Sequence, residues 1–152
     1  MEIYQHLNYG GGTQNPTKII VHAMGEFIHS NDGDFYAVQW LNKLHLSAHC
    51  LITPSGSIIR CREDSLMAWH ARGFNDNTLG VEFLVPGLHD YETFKETIQT
   101  DWVSLPQLSA GIELIKRWRL VWPIEGILRH SDVSPERKVD PGSGFPFDKL
   151  TA

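Results

Sequence analysis

Cysteine is nearly absent from this chain. Cys50 and Cys61 are the only two among 152 residues, too few for a scaffold stapled by disulfides. Apolar runs are short as well, and none approaches the ~20 residues needed to cross a bilayer. The opening residues Met1-Glu2-Ile3-Tyr4-Gln5-His6 lack the basic stretch followed by an apolar one that marks a signal peptide. A cytoplasmic site of synthesis is therefore expected. Positive charge is in deficit, with 13 Lys and Arg against 18 Asp and Glu for a net charge of −5. That argues against a nucleic-acid or anionic-membrane binder working through net charge, while leaving room for a local basic patch. No repeat, low-complexity tract or linker is visible, so residues 1–152 read as one domain.

Residues 1–17 are polar and glycine-rich, with Gly10-Gly11-Gly12 and Asn15-Pro16, and read as an N-terminal arm or loop. Lys18 to His22 is short and β-branched, a buried strand. Asn31-Asp32-Gly33-Asp34 reads as a turn whose last aspartate caps a helix. That helix runs from Phe35 to Leu46, with Phe35, Val38, Leu41 and Leu44 at helical spacing. Leu46–Ile52 and Ser57–Arg62 flank Thr53-Pro54-Ser55-Gly56, a hairpin signal. Proline second and glycine fourth suit a type I turn closed by a glycine bulge, which would set Cys50 opposite Arg60 and Cys61 opposite His49. A plain two-residue loop would instead set the two cysteines face to face. Thr78–Val85 reads as a central strand, and a short helix is expected around Tyr91–Ile98. Ser104-Leu105-Pro106-Gln107 has the form of a capping box opening a helix to Trp118 or Val121, stopped by Pro123. Strands interleaved with helices predict an α/β fold, a single mixed β-sheet flanked by helices.

Two apolar runs end in histidine: Ile19-Ile20-Val21-His22 and Ile127-Leu128-Arg129-His130. Any one histidine reads most simply as a hydrogen-bonded structural residue, and eight are present. Two at adjacent strand ends are different, because a polar loop then returns Lys138 and Asp140 to the second of them. His22, His130 and Asp140 together offer three N/O ligands to a zinc ion with a fourth position open, the arrangement of a catalytic site. Glu82 sits in Leu79-Gly80-Val81-Glu82-Phe83, a carboxylate in a strand fit for burial. The plain reading is a strand-end charge facing water. Burying it costs free energy that is tolerated mainly where chemistry needs the group.

The chain resembles the zinc-dependent N-acetylmuramoyl-L-alanine amidases, whose fold is shared with phage amidase endolysins and peptidoglycan recognition proteins. Four segments carry the likeness in family order: IIVHAMG (19–25), SAHCLITPSGSI (47–58), AWHARGFNDNTLGVEF (68–83) and RHSDVSPERKVDPG (129–142). The resemblance implies zinc on His22, His130 and Asp140. It implies Glu82 as general base and Lys138 as the cation that stabilises an oxyanion. It suggests His49, Trp69, His70, Arg72 and Asn77 as residues lining a groove for glycan and stem peptide. Some relatives carry a tyrosine at the position of Ala48; this chain resembles the group with alanine there, which leaves more of the chemistry to Glu82 and Lys138. The implied partner is peptidoglycan, acted on by a monomer without a separate cell-wall-binding domain. The expectation is a phage endolysin for a thin-walled host, reaching periplasmic peptidoglycan after cytoplasmic synthesis. The alternatives are a cytosolic amidase recycling anhydro-muropeptides and a non-catalytic peptidoglycan receptor.

Overall fold

The computed structural model describes residues 2–25 and 35–152; the turn expected at 31–34 lies outside them. Six strands form one sheet: β1 (Glu2–Tyr4), β3 (Lys18–Met24), β4 (Cys50–Ile52), β5 (Ile58–Arg60), β7 (Thr78–Leu84) and β8 (Gly126–Arg129), in the order β1-β5-β4-β7-β3-β8. Only the β4–β5 hairpin is antiparallel; the other neighbours run parallel. A strand in the middle of a parallel sheet is covered on both faces. All seven residues of β7, and six of the seven in β3, are accordingly buried.

The two faces carry different cores. Ile19, Val21 and Ala23 of β3, with Leu79, Val81 and Phe83 of β7, pack under α3 (Leu105–Val121), α2 (Tyr91–Thr97) and α5 (Phe147–Thr151). Full burial of each such aliphatic or aromatic side chain contributes about 1.5–3 kcal/mol. The opposite face packs Leu51, Ile59 and Leu84 against Ala37, Val38 and Leu41 of α1 (Phe35–Lys43). The period-two alternation of a strand thus sends odd-numbered residues of β3 and β7 to α3 and even-numbered ones, His22 and Glu82 among them, to the α1 side.

Several expectations are adjusted. Residues 1–17 are more than an arm. β1 pairs with β5, and β2 (Gly10–Thr13) pairs antiparallel with β6 (Leu66–Ala68) in a second, two-stranded sheet. Periodicity misses β2 because glycine fills it for space: a Cβ on Gly10 would sit 2.4 Å from the Arg62 guanidinium and the Met67 carbonyl. Arg62 donates to Met67 O at 2.8 Å and to Gly11 O at 2.9 Å, pinning that sheet. Helix α1 stops at Lys43, short of Leu46, because His45 takes a left-handed φ of 58° and the Leu46 amide closes back on Leu41 O at 2.9 Å. At α3, Ser104 Oγ accepts from the Gln107 amide, but the box is half made. The Gln107 side chain instead donates to Ile52 O and Leu84 O, both at 2.9 Å, satisfying carbonyls at the ends of β4 and β7.

The hairpin adopts the bulged register. Cys50 pairs with Arg60, Thr53 N donates to Ser57 O at 3.0 Å, Cys61 N donates to His49 O at 2.9 Å, and Gly56 has φ 89°. The thiols are free and buried in the two different cores, Cys50 under α3 and Cys61 on the α1 side.

Candidate active site

Three parallel neighbours, β7, β3 and β8, bring one residue each to the carboxyl end of the sheet. His22 pairs directly with Glu82. On the other side Val21 pairs with Arg129, so the next position, His130, arrives beside His22 as the chain turns into α4 (His130–Val133). Adjacent strands lie about 4.8 Å apart, close enough for side chains on one face to share a ligand. Asp140 returns through a loop anchored at both ends: Ser131 N donates to Asp140 O at 3.0 Å, and Lys138 N to Ser134 O at 2.8 Å.

His22 Nδ1 and His130 Nδ1 stand 2.9 Å apart. Asp140 Oδ2 lies 3.3 Å from the His130 nitrogen and 3.5 Å from that of His22, and also accepts from Ala23 N at 3.2 Å. Two imidazole nitrogens and a carboxylate oxygen converging like this form a donor set for a cation. A tetrahedral zinc with bonds of about 2.0–2.1 Å separates its donor atoms by about 3.3 Å, and the observed spacings bracket that value. The residues fit the metal.

Burial pulls the His22 imidazole below its ordinary range and so keeps it neutral, while the Asp140 carboxylate beside it opposes the shift. Burial alone would raise the Asp140 carboxyl, but the His130 and His22 imidazoles beside it outweigh burial and hold the group ionised below the usual carboxylate range. His22 and Asp140 are thus in the deprotonated forms that metal binding requires. Glu82 behaves oppositely. It is 9% exposed, with Oε1 3.8 Å from His22 Nδ1. Burial first, then the charge of Asp140, push it well above the ordinary range, and Lys138 opposes them. A carboxylate raised in this way holds a proton more readily than an ordinary one, which suits a group that must take and return one.

These groups open into a cleft of about 310 Å³ lined by His22, Glu82, His130, Lys138 and Asp140 together with His70. Its other wall is apolar, from Trp40, Leu41 and Leu44 near the end of α1 to Tyr91 and Phe94 of α2 and Val139. The sequence reading assigned that wall no role, because helical spacing marks Leu41 and Leu44 as core.

Of the five expected groove residues only His70 borders the cleft. His49 is fully buried and both its nitrogens are spent: Nε2 donates to Leu66 O at 2.8 Å, and Nδ1 accepts from Gly80 N at 3.0 Å. Asn77 precedes β7 at the opposite end from Glu82, five residues or about 16 Å of strand away. Its left-handed φ of 58° and its Oδ1, which accepts from Asn15 N at 3.0 Å, make it a turn residue. Trp69 and Arg72 are exposed and outside the cleft lining.

Comparison with known proteins agrees with this geometry. Residues 12–143 match the family model described as N-acetylmuramoyl-L-alanine amidase, and the chain belongs to that family. It is similar to the 1,6-anhydro-N-acetylmuramyl-L-alanine amidase AmpD of Enterobacter cloacae, with 31% identity over 117 residues, covering 72% of this chain and 57% of that protein. The chain therefore spans little more than half the length of that relative. The corresponding Citrobacter freundii protein is 28% identical over 164 residues, covering 91% of this chain and 81% of the relative. Among solved structures, the N-acetylmuramoyl-L-alanine amidase LysC from Clostridium intestinale URNW superposes with a TM-score of 0.75 at 20% identity, covering 99% of this chain and 95% of that one. This last likeness speaks for the fold.

Proposed function

We propose that this chain is a zinc-dependent hydrolase that cleaves the amide bond between the lactyl group of N-acetylmuramic acid and L-alanine in peptidoglycan, acting as a single catalytic domain. The observation that carries the reading is the convergence of His22, His130 and Asp140 beside the raised carboxyl of Glu82. Zinc held by those three residues supplies Lewis acidity toward the water and the amide carbonyl. Glu82, which faces the same cleft, takes the proton of the attacking water and returns it to the departing alanine nitrogen. Lys138, half-buried on the cleft wall, places a positive charge where the carbonyl oxygen becomes negative. The histidines beside Asp140 hold it ionised, which keeps its carboxylate for the metal and out of proton transfer.

Two settings suit this chemistry. One is lysis of intact murein by an endolysin. The other, supported by the printed activity of the AmpD relatives, is cleavage of soluble 1,6-anhydro-muropeptides. Mass spectrometry of products from purified sacculi and from soluble anhydro-muropeptide, with and without chelator, tests both. Peptides with a free L-alanine amino terminus are expected, and only without chelator. The substrate cut faster assigns the setting, and absence of such peptides from both refutes the amidase reading. A receptor that only binds would have no use for a buried carboxylate and a lysine facing the same metal ligands.

A further inference from the structure

The second nitrogen of His22 does not face the metal position. His22 Nε2 lies 2.9 Å from His70 Nδ1, with the two rings nearly perpendicular at 82°. His70 Nε2 lies 3.1 Å from Thr78 Oγ1, and Thr78 Oγ1 lies 2.8 Å from Phe74 O and 3.1 Å from Asn75 O. These contacts form a chain whose direction can be deduced from its far end. Carbonyl oxygens only accept, so the one hydroxyl proton of Thr78 points to Phe74 O. Thr78 Oγ1 must then accept from His70, which places a proton on His70 Nε2. A neutral imidazole carries one N–H, so His70 Nδ1 is bare and accepts from His22. The proton of His22 is thereby held on Nε2, and its Nδ1 lone pair is left aimed at His130 and Asp140.

We infer that His70 and Thr78 are positioning residues that lock His22 in the one tautomer able to bind the metal, an assignment that rests on the metal-site reading above. Metal-bound histidines usually donate their other N–H to a partner that fixes ring and tautomer; here the partner is itself a histidine with a defined polarity. The fold is shaped for it. His70 lies across Gly80, where a Cβ would come within 2.5 Å of the ring. The loop that carries it is tied down by Asn75 Oδ1, which accepts from His70 N at 3.0 Å and Ala71 N at 2.7 Å. His130 has no such device: its buried Nε2 has no hydrogen-bond partner among the described residues.

The test reads tautomers and zinc affinity on the full chain. Two-bond ¹H–¹⁵N correlation spectra of the metal-free protein should show His22 protonated on Nε2. His70→Ala should convert it to a mixture of tautomers and weaken zinc binding, measured by chelator competition, by about 10–100-fold. Thr78→Val is nearly isosteric, keeps the packing and removes only the hydroxyl, so it should act in the same direction even if His70→Ala fails to fold. A His22 found protonated on Nδ1 in the parent chain would overturn the proposal. So would an unchanged tautomer and unchanged affinity in Thr78→Val. Failure of the parent chain to bind zinc at all would instead count against the metal-site reading, while the tautomer spectra still decide the relay.

Discussion

His22 and His49 make an instructive pair. Both are buried on the α1 side of the sheet, and each has a ring beside that of His70, with centroids 5.1 and 5.9 Å away. Both are kept neutral by burial, His49 with a pKa near 4. They differ in where their nitrogens point. His49 gives both to the protein backbone and holds β4, β6 and β7 in register. His22 gives one to His70 and turns the other toward a second histidine and a carboxylate. Exposure and residue type do not separate a structural histidine from a ligand; the accounting of its two nitrogens does.

The comparison breaks first, and most heavily, at the metal. His22→Ala or His130→Ala removes one of three donors, and zinc stoichiometry by atomic absorption should fall from one per chain toward zero, with activity. Unchanged occupancy in His130→Ala would contradict the assigned site, as would Cys50 or Cys61 in the coordination sphere. Because the ligands bind metal only when deprotonated, zinc affinity should also fall in acid.

Next come the residues that leave the metal in place. Glu82→Gln and Lys138→Ala should retain zinc and fold while losing about 10²-fold or more in kcat. Full activity in Glu82→Gln would rule out its role as general base. The same variant carries a stability signature. The folded pKa of Glu82 is raised, so native Glu82 stabilises the fold less as pH rises through the ordinary carboxylate range toward that raised value. Glu82→Gln, which cannot ionise, should therefore gain in melting temperature on the parent chain as pH rises through that window.

His49 sharpens the contrast through stability alone. Its folded pKa, about 4 against an ordinary 6.5, means that the unfolded chain takes up a proton in this interval which the folded chain refuses. Stability from this group is present above pH ~6.5 and drains away as pH falls to ~4, by roughly 3 kcal/mol at 1.36 kcal/mol per unit. His49→Gln should be less stable than the parent at pH 7 by about 1–3 kcal/mol, the cost of disturbing buried hydrogen bonds. Across pH 6.5 to 4, in chelator, that deficit should shrink. A deficit that stays constant would mean His49 titrates normally.

The sequence disclosed most of what lies along strands and little of what lies between them. The β-branched and apolar runs of β3 and β7 and the turn chemistry of Pro54 and Gly56 are local and hold in the structure, although β3 runs two residues past His22 to Met24. β2 was hidden because its glycines answer to the Arg62 guanidinium, a neighbour some 50 residues on. His49 and His70 were read as equivalent groove residues because the sequence does not reveal that Leu66 O and Gly80 N consume one ring while Thr78 orients the other. Asn77 was read as a site residue from its place in a motif, yet the motif runs along β7, and Asn77 and Glu82 lie toward opposite ends of that strand.

The smallest expected effect concerns the cysteines, and it tests strand register. In the bulged hairpin Cys50 opposes Arg60 and Cys61 opposes His49, so neighbouring side chains alternate faces and the two sulfurs enter different cores. No rotamer change can join thiols on opposite sides of a sheet. Burial pushes the Cys50 thiol up to about 12 and raises Cys61 further still, and nucleophilic attack requires the thiolate. The native protein should thus resist alkylation at neutral pH, and its activity should be indifferent to reductant. Denatured without reductant, it should release two reactive thiols per chain. If neither reacts, a disulfide is present and the plain two-residue loop, with Cys50 facing Cys61, is the true register.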